Sequence, residues 1–378
     1  MKRESWDSVP FDQLVEFHDH RRTPLSKKER GSRSGPFPYY GAQGIIDWID
    51  DYIFDGRYLL IAEDGENLRS RKQPVAYIAD GQFWVNNHAH VVKAVGGTAD
   101  DDFLRAYIES HSLSGLITGA AQPKLSQSNL KQLPVTAPQY AVQATIGQAV
   151  RVVDGLLQNN GRRIEILEEM ARLLYREWFV HFRFPEHEDV ELVNSELGLI
   201  PSGWKVRRLG EILEFSYGKA LKASDRRGGP VAVYGSGGRI GWHDEALVIG
   251  PGIVVGRKGN VGSVYWAEHD FFPIDTTYYV KSDLPFQFLD QLLRILPFVD
   301  SHAAVPGLSR EQAYGLMVVE PDGHLQSQYE TAVRPMYGLR QVLLDQSDVL
   351  RQARDLLLPR LVSGELDVSE LDLGMAAV

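Results

Sequence analysis

The chain has 378 residues, which exceeds the usual size of one hydrophobic core and predicts two or three domains. It contains no cysteine, which excludes disulfides, thiolate metal ligands and cysteine nucleophiles, and this composition fits a reducing compartment. The net charge of −10 argues against a protein that coats itself in nucleic acid through a bulk positive field, so any nucleic-acid surface must be local.

Membrane insertion and secretion are not expected from the sequence. No run approaches the roughly 18 apolar residues of a membrane span. The first residues also lack the apolar region of a signal peptide. We therefore expect a cytoplasmic protein.

Residues 1–138 form the first predicted domain. Short β-rich runs bounded by Gly and Pro surround one helical stretch, Asp101 to His111, which is typical of an α+β domain. A basic loop follows the first apolar run, and its cations are candidates for phosphate contacts, with solvated surface charge as the alternative. These cations are Lys27, Lys28, Arg30 and Arg33.

Residues 139–184 predict a long central spacer helix. Apolar residues recur in steps of four and three, which is the heptad pattern of a coiled coil with one polar position that fixes register. The seam contains Ile146, Val150, Val153, Leu157, Asn160, Ile164, Leu167, Ala171, Leu174 and Trp178. At about 1.5 Å per residue, its 33 residues, 146 to 178, span about 50 Å.

An acidic, Pro-punctuated linker, residues 185–203, leads into a second predicted domain, residues 204–321, which repeats the first. The turn Tyr40-Gly41 recurs as Tyr234-Gly235, and Leu59 to Gly65 recurs as Ile253 to Gly259, both 194 positions later. The basic loop also recurs and supplies a second set of candidate phosphate contacts. This set is Lys219, Lys222, Arg226 and Arg227.

Residues 322–366 predict a second, less regular spacer helix, followed by a tail, residues 367–378. Its seam contains Val333, Met336, Leu343, Leu350, Leu357 and Leu361. Arg340, Ser347 and Arg354 interrupt this seam, and Pro335 is expected to kink or restart the helix. The simplest packing of two such helices in a repeated chain is an antiparallel coiled coil about a pseudo-two-fold axis. The alternative is that each helix packs on its own domain.

Loop residues with groove-reading side chains are candidates for base contacts, and ordinary hairpin tips are the alternative. In the first domain these candidates are Tyr40, Gln43, Arg57, Asn86, Asn87 and His88. In the second domain they are Ser236, Arg239, His243, Arg257, Lys258, Asn260 and Thr276. Because Glu63-Asp64 corresponds to Arg257-Lys258, the two domains are expected to recognise different sequences.

No catalytic site is expected. The sequence lacks a Walker A loop and the Asn-Pro-Pro-Tyr or Asp-Pro-Pro-Tyr run of an amino-methyltransferase. His88 and His90 alternate on one strand face but have no third ligand nearby, so no metal site is predicted. A nuclease site at the aspartates between Asp47 and Asp64 is disfavoured because Arg257 and Lys258 occupy the matching positions in the second repeat.

The order of these elements, taken twice, resembles the specificity subunits of type I restriction-modification enzymes. The resemblance rests on the segments Ile200 to Trp204 and Gly252 to Gly259, the Tyr-Gly turns and the terminal long helices, and it covers about residues 5 to 366. It implies that each domain recognises one half of an asymmetric bipartite site in double-stranded DNA. It further implies that the helices set the spacing and dock two methyltransferase subunits, and that restriction-translocase subunits join.

The resemblance also implies a non-catalytic chain without a cofactor of its own. S-adenosylmethionine, and ATP with Mg for restriction, would belong to the assembled complex. The helix starts depart from the family pattern, because Gln143 and Gln326 keep only the Gln of a Glu-Gln pair. A non-catalytic, two-lobed coiled-coil adaptor that does not bind DNA is the alternative.

Overall fold

A computed structural model describes residues 6–299 and 307–368, which form two compact units. Unit 1 contains the described residues up to Asn159 together with those from Ser347, and unit 2 runs from Asn160 to Gln346. The sequence predicted each long helix as a separate segment between domains. In the structure, the boundaries between the units fall within both helices, after Asn159 and after Gln346. The predicted tail lies outside the described residues except for Asp367 and Val368.

The strands of unit 1 form two four-stranded sheets and two smaller pairs. They are β1 (Asp7–Pro10), β2 (Val15–Phe17), β3 (Ser34–Gly41), β4 (Gly44–Ile49), β5 (Phe54–Asp55), β6 (Tyr58–Ala62), β7 (Ala76–Ala79), β8 (Gln82–Val85), β9 (Ala89–Ala94), β10 (Ile117–Thr118), β11 (Lys124–Leu125) and β12 (Pro134–Ala137). The sheet orders are β2-β9-β6-β7 and β4-β3-β8-β5. Strand β6 is buried throughout because its apolar run lies inside the first sheet.

Besides three 3-10 turns, four short α-helices complete the described globular part of unit 1. They are α1 (Lys27–Gly31), α2 (Asn67–Ser70), α3 (Asp101–Ser110) and α4 (Gln127–Lys131). The predicted helix at Asp101 to His111 corresponds to α3, which begins where the Asp100 side chain accepts the N–H groups of Asp102 and Phe103. Its apolar face is buried in the main core of unit 1.

The central long helix, α5 (Tyr140–Tyr175), is followed by a π-helical turn, Arg176–Val180. Unit 2 then repeats the strand arrangement. Its strands are β13 (Leu192–Ser195), β14 (Gly198–Pro201), β15 (Lys205–Arg208), β16 (Glu214–Tyr217), β17 (Val231–Gly235), β18 (Gly238–His243), β19 (Gly252–Gly256), β20 (Val264–Ala267), β21 (Phe271–Pro273), β22 (Thr277–Lys281) and β23 (Met317–Glu320). The order β16-β22-β19-β20 reproduces β2-β9-β6-β7.

The remaining helices are α6 (Leu209–Ile212), α7 (Phe286–Ile295), α8 (Arg310–Tyr314) and α9 (Gly323–Val362). Helix α7 agrees with the predicted stretch Pro285 to Leu296. The expected restart at Pro335 is wrong, because α9 is continuous from Gly323 to Val362. Pro335 is exposed, so water can reach the carbonyl that loses its helical N–H partner there.

Within each unit, α5 and α9 contact each other. In unit 1, Arg354 of α9 pairs with Asp154 of α5 at 3.3 Å. In unit 2, the Tyr329 hydroxyl donates to the Ala171 carbonyl at 3.0 Å, and Arg340 pairs with Glu168 at 2.5 Å. Arg340 follows Tyr329 along α9, whereas its partner Glu168 precedes Ala171 along α5. The two helix segments in unit 2 are therefore antiparallel. The seam interruptions Arg340 and Arg354 therefore form ion pairs with the other helix.

Most seam residues point inward. In α5, Val150 and Asn160 are buried, and the half-buried residues are Val153, Leu157, Ile164, Leu167 and Leu174. In α9, Val333 and Leu343 are buried, and Met336 and Leu350 are half-buried. Leu357 is the exception at 42% exposed, and its neighbour Leu358 packs against the unit 1 core instead. The irregular spacing around Arg354 shifts the packed position by one residue.

The predicted α+β class is confirmed by this mixture of sheets and helices. No helix among the described residues combines the length and apolar character needed to cross a bilayer.

Candidate functional site

The basic loop of unit 1 is held by a capped helix. Ser26 caps α1 in a reciprocal capping box with Glu29, and the hydrogen bond from Ser26 lowers the pKa of Glu29. Lys27 and Lys28 are exposed. Both lysines are thus available for phosphate contacts.

The arginines of this loop have protein partners. Arg30 pairs with Asp47 at 3.0 Å and lies over the Tyr39 ring, and its hydrogen bond lowers the pKa of Asp47. Arg33 pairs with Asp50 at 2.8 Å and lies over the Trp84 ring. Both guanidinium groups are partly neutralised here, which weakens the prediction that they bind phosphate.

The basic loop of unit 2 repeats this arrangement. Arg227 pairs with Asp244 at 2.8 Å, and the two residues lie 194 positions after Arg33 and Asp50. Arg226 donates to the Ile240 carbonyl at 2.8 Å. Lys219 and Lys222 are exposed, and neither forms an ion pair within the described part of the chain. The repeated ion pair fixes each basic loop to the hairpin that follows it. In both loops the lysines are more accessible than the paired arginines.

Several predicted base contacts lie at exposed tips. Gln43 is exposed at the turn between β3 and β4, and Arg239 is exposed on β18, where its guanidinium lies 4.7 Å from the Trp242 ring centroid. Lys258 and Asn260 are exposed in the turn after β19, as is Asn87 in the turn after β8. These side chains are therefore accessible at the surface, as a base contact requires.

Other predicted base contacts face the protein. Tyr40 is half-buried and stacks on Tyr77, and burial raises the pKa of Tyr40. Asn86 is buried and accepts the His88 N–H, and His243 is also buried. These three side chains are packed into the protein because neighbouring aromatic or backbone groups occupy their polar and apolar surfaces.

The remaining predicted base contacts have protein partners as well. The His88 ring pairs with Asp64 at 2.8 Å while staying exposed. The carbonyl of half-buried Thr276 accepts the N–H groups of Arg257 and Lys258, and the carbonyl of half-buried Ser236 accepts the Ser263 hydroxyl. Thr276 and Ser236 therefore shape their loops through the backbone.

Arg57 is a structural residue in this fold. Its guanidinium pairs with Asp102 at 2.7 Å and with Asp80 at 3.1 Å. Burial disfavours its charge, but these two carboxylates outweigh that effect and raise the pKa of Arg57. Sequence could not separate this role from base contact, because Asp102 lies far along the chain.

A buried polar network lies beside the turn after β6 in unit 1. His90 is 1% exposed and its Nδ1 lies 2.7 Å from Asp19, which also accepts Gln127 Nε2 at 3.0 Å. Glu63 pairs with Arg22 at 2.7 Å. Burial opposes ionisation of Asp19 and Glu63, but their hydrogen bonds, from His90 to Asp19 and from Arg22 to Glu63, prevail and lower both pKa values.

Sequence reasoning missed a pair of exposed apolar strips. Ile46 and Trp48 on β4, and Ile240 and Trp242 on β18, are exposed and again lie 194 positions apart. Both strands are edge strands. The alternation Ile-x-Trp after each Gly turn was a signal that could have identified them.

The aspartates considered for metal binding do not form a metal site in the described chain. Asp47 and Asp50 are paired with arginines, and no cluster of three His, Asp or Glu side chains suited to a metal ion occurs among the described residues.

Comparisons with known proteins agree with the duplicated fold. Residues 3–169 match the family model described as Type I restriction modification DNA specificity domain. A crystal structure of the type I restriction-modification system S subunit from M. genitalium covers 96% of this chain and 97% of its own, with a TM-score of 0.64 at 18% identity. That likeness supports the fold alone. The match to the specificity-domain model covers residues 3–169, which include the globular part of unit 1 and most of α5.

Two relatives extend the comparison along the sequence. A Haemophilus influenzae protein named as a type I restriction enzyme specificity subunit is 33% identical over 147 residues, which cover 39% of this chain and 36% of that protein. The MjaIX specificity subunit of Methanocaldococcus jannaschii is 25% identical over 305 residues, which cover 69% of this chain and 67% of that protein. The predicted resemblance is confirmed, since residues 3–169 match the specificity-domain family model and both relatives are named as specificity subunits.

Proposed function

We propose that this chain is the sequence-specific DNA-binding specificity subunit of a type I restriction-modification system. Each unit recognises one half of an asymmetric bipartite site in double-stranded DNA. The chain itself is non-catalytic and acts in the cytoplasm. The relatives are named as specificity subunits, which favours this function over a coiled-coil adaptor that does not bind DNA.

The observation that carries the proposal is a common backbone frame with different side chains at its tips. Glu63 N–H donates to the His88 carbonyl, and Arg257 N–H donates to the Thr276 carbonyl in the same way. The Glu63 carbonyl accepts the Leu125 N–H, and the Arg257 carbonyl accepts the Leu308 N–H. The frame is the same, yet the tips carry Glu63-Asp64 in one unit and Arg257-Lys258 in the other.

Opposite charges on one frame suit the recognition of different sequences. At the second tip position, Asp64 can accept a hydrogen bond from a cytosine amino group, whereas Lys258 can donate to guanine. The lysines of the basic loops supply contacts to phosphate, which position the duplex without specifying sequence. An asymmetric target follows from this division of roles.

The two long helices carry the remaining functions in this proposal. They set the distance between half-sites, and a seam of about 50 Å exceeds one duplex turn of about 34–36 Å. The half-sites are then separated by several unread base pairs. The helices also dock two methyltransferase subunits, and restriction-translocase subunits complete the assembly. S-adenosylmethionine, ATP and Mg are used by those partners.

Copurification followed by hydroxyl-radical footprinting tests this function. The full chain, coexpressed with the products of neighbouring genes, should retain a methyltransferase and protect two short DNA segments flanking an unprotected spacer. An unrelated duplex of equal length is the control and should show no pattern. Failure to retain a methyltransferase, or a single continuous footprint, would contradict the proposal.

A further inference from the structure

A cleft of about 1000 Å³ lies in unit 2 beside the turn after β19. Its lining includes Tyr217, Arg257, Lys258, Tyr278 and Arg310. Arg257 and Lys258 were predicted from sequence to contact bases, whereas Tyr217 and Arg310 were not singled out. The cleft therefore joins predicted and unpredicted residues in one place.

Two guanidinium groups lie against one tyrosine ring in this cleft. Arg257 and Arg310 lie 5.3 Å and 4.4 Å from the Tyr217 ring centroid. Arg257 also donates to the Asp275 carbonyl at 2.7 Å, and Arg310 to the Phe215 carbonyl at 3.2 Å. Carbonyls and rings orient the arginines without neutralising them. Neither arginine forms an ion pair within the described residues.

Carboxylates also line the cleft, but two of the three are already paired. Glu211 binds Arg207 at 3.0 Å, and Glu214 lies 3.8 Å from Lys281. The third carboxylate is Glu311. Four cationic side chains line the same cleft: Arg208, Arg257, Lys258 and Arg310. The cleft is therefore cationic although the whole chain is acidic.

The same place in unit 1 is identified by strand register. Glu16 faces Lys93 as Glu214 faces Lys281, so Asp19 and His90 correspond to Tyr217 and Tyr278. The correspondence extends to a hydrogen bond, since His90 Nε2 contacts the Leu125 carbonyl and the Tyr278 hydroxyl donates to the Leu308 carbonyl. Glu63 corresponds to Arg257 in the frame described above. Gln127 corresponds to Arg310, because each follows the serine that caps α4 or α8.

In unit 1 these positions satisfy one another. Asp19, His90 and Gln127 are hydrogen-bonded together, and Glu63 is paired with Arg22 and with Lys124 at 3.2 Å. The charges of this network are internally compensated. Among the residues that the structure describes, Arg257 and Arg310 of unit 2 have no carboxylate paired with them in this way.

We propose that the unit 2 cleft binds a backbone phosphate of the target DNA, and that the corresponding place in unit 1 does not. This inference rests on the proposed function. Arginine suits the role because its planar fork stays charged and binds phosphate oxygens in pairs. Tyr217 is 49% exposed, and its hydroxyl offers a neutral donor to the same anion. The second half of the site is thus held by an electrostatic contact that the first half lacks.

Arg310→Gln is the matched test, because it installs the residue that unit 1 has at the corresponding position. The full chain, in complex with its methyltransferase subunits, is titrated with a duplex that contains its target at several salt concentrations. Loss of one phosphate contact should reduce the slope of log K against log salt by about 0.9. Affinity near physiological salt should fall about three- to tenfold, with base discrimination unchanged in both half-sites.

Two further variants complete the experiment. Arg208→Gln, an exposed change in the same cleft, should also reduce the slope and guards against misfolding of the first variant. Lys205→Gln removes an exposed charge outside the cleft and should leave the slope unchanged. An unchanged slope for both cleft variants would overturn the inference while the proposed function stands. Loss of methyltransferase binding, or of base discrimination without a slope change, would also overturn it. No binding of target DNA by the wild-type complex would overturn the proposed function as well.

Discussion

Replacing Tyr329 by Ala is expected to destabilise unit 2 by about 3–5 kcal/mol, as for other large aromatic truncations in a core. Tyr329 is fully buried, and its ring packs on Tyr175, Trp178 and Phe179 of the α5 region. Its hydroxyl also joins α9 to the Ala171 carbonyl of α5. The substitution therefore removes the centre of the contact between the two helices within this unit.

Differential scanning calorimetry measures this effect as a fall in the melting temperature of unit 2. At about 2–4 °C per kcal/mol, the fall should be roughly 6–20 °C. Tyr329→Phe removes only the hydroxyl and should cost about 1 kcal/mol. Gln328→Ala changes an exposed neighbour and should stay within about 0.5 kcal/mol. A Tyr329→Ala melting curve that overlays the wild type would show that the helix contact is wrongly assigned.

Replacing Gly35 by Ala should destabilise the β3–β4 hairpin of unit 1. A Cβ at this position would lie 2.4 Å from the Asp50 Cα and 2.5 Å from the Ile49 carbonyl oxygen, so the backbone of one strand must move. Overpacking of this kind costs about 1–3 kcal/mol, or more where backbone must shift. The basic loop should move with it, because Arg33 is paired with Asp50 next to the clash.

Gly31→Ala is the matched control four residues earlier. A Cβ there meets nothing within 4 Å, and Gly31 ends a helix, so alanine should be neutral or stabilising by up to about 1 kcal/mol. Chemical denaturation should therefore give a lower free energy of unfolding for Gly35→Ala and an unchanged or higher one for Gly31→Ala. Equal stability of both variants would mean that the hairpin strands do not approach as described. Gly229 repeats the tight approach in unit 2, where a Cβ would lie 2.7 Å from the His243 carbonyl oxygen.

Periodicity and internal repetition predicted most of the architecture. The steps of four and three in α5 fall on its inward face, since Ile146, Val150 and Asn160 are buried whereas Val152 and Leu156 are exposed. The offset of 194 positions also recurs in the structure, because the β3–β4 hairpin of unit 1 has a counterpart in the β17–β18 hairpin of unit 2. These features follow from local geometry, which a sequence expresses directly.

Side-chain partners distant along the chain were beyond sequence reasoning. Arg57 and Asp102 are 45 positions apart, and nothing local distinguishes a paired arginine from a free one. The burial of His243 and the shift from Leu357 to Leu358 likewise depend on how helices and strands pack. The contrast between Glu63 and Arg257 was visible in the sequence. The network and the cleft around those two residues needed the register of β9 and β22.

A methylation map of cells that express this chain with its methyltransferase partners tests the central claim most directly. The account predicts one methylated motif made of two different specified halves, separated by a fixed run of unspecified base pairs. Exchanging residues 204–321 for the matching domain of a relative should then alter one half and leave the other unchanged. A single continuous motif, a palindromic one, or a change in both halves after the exchange would contradict the account.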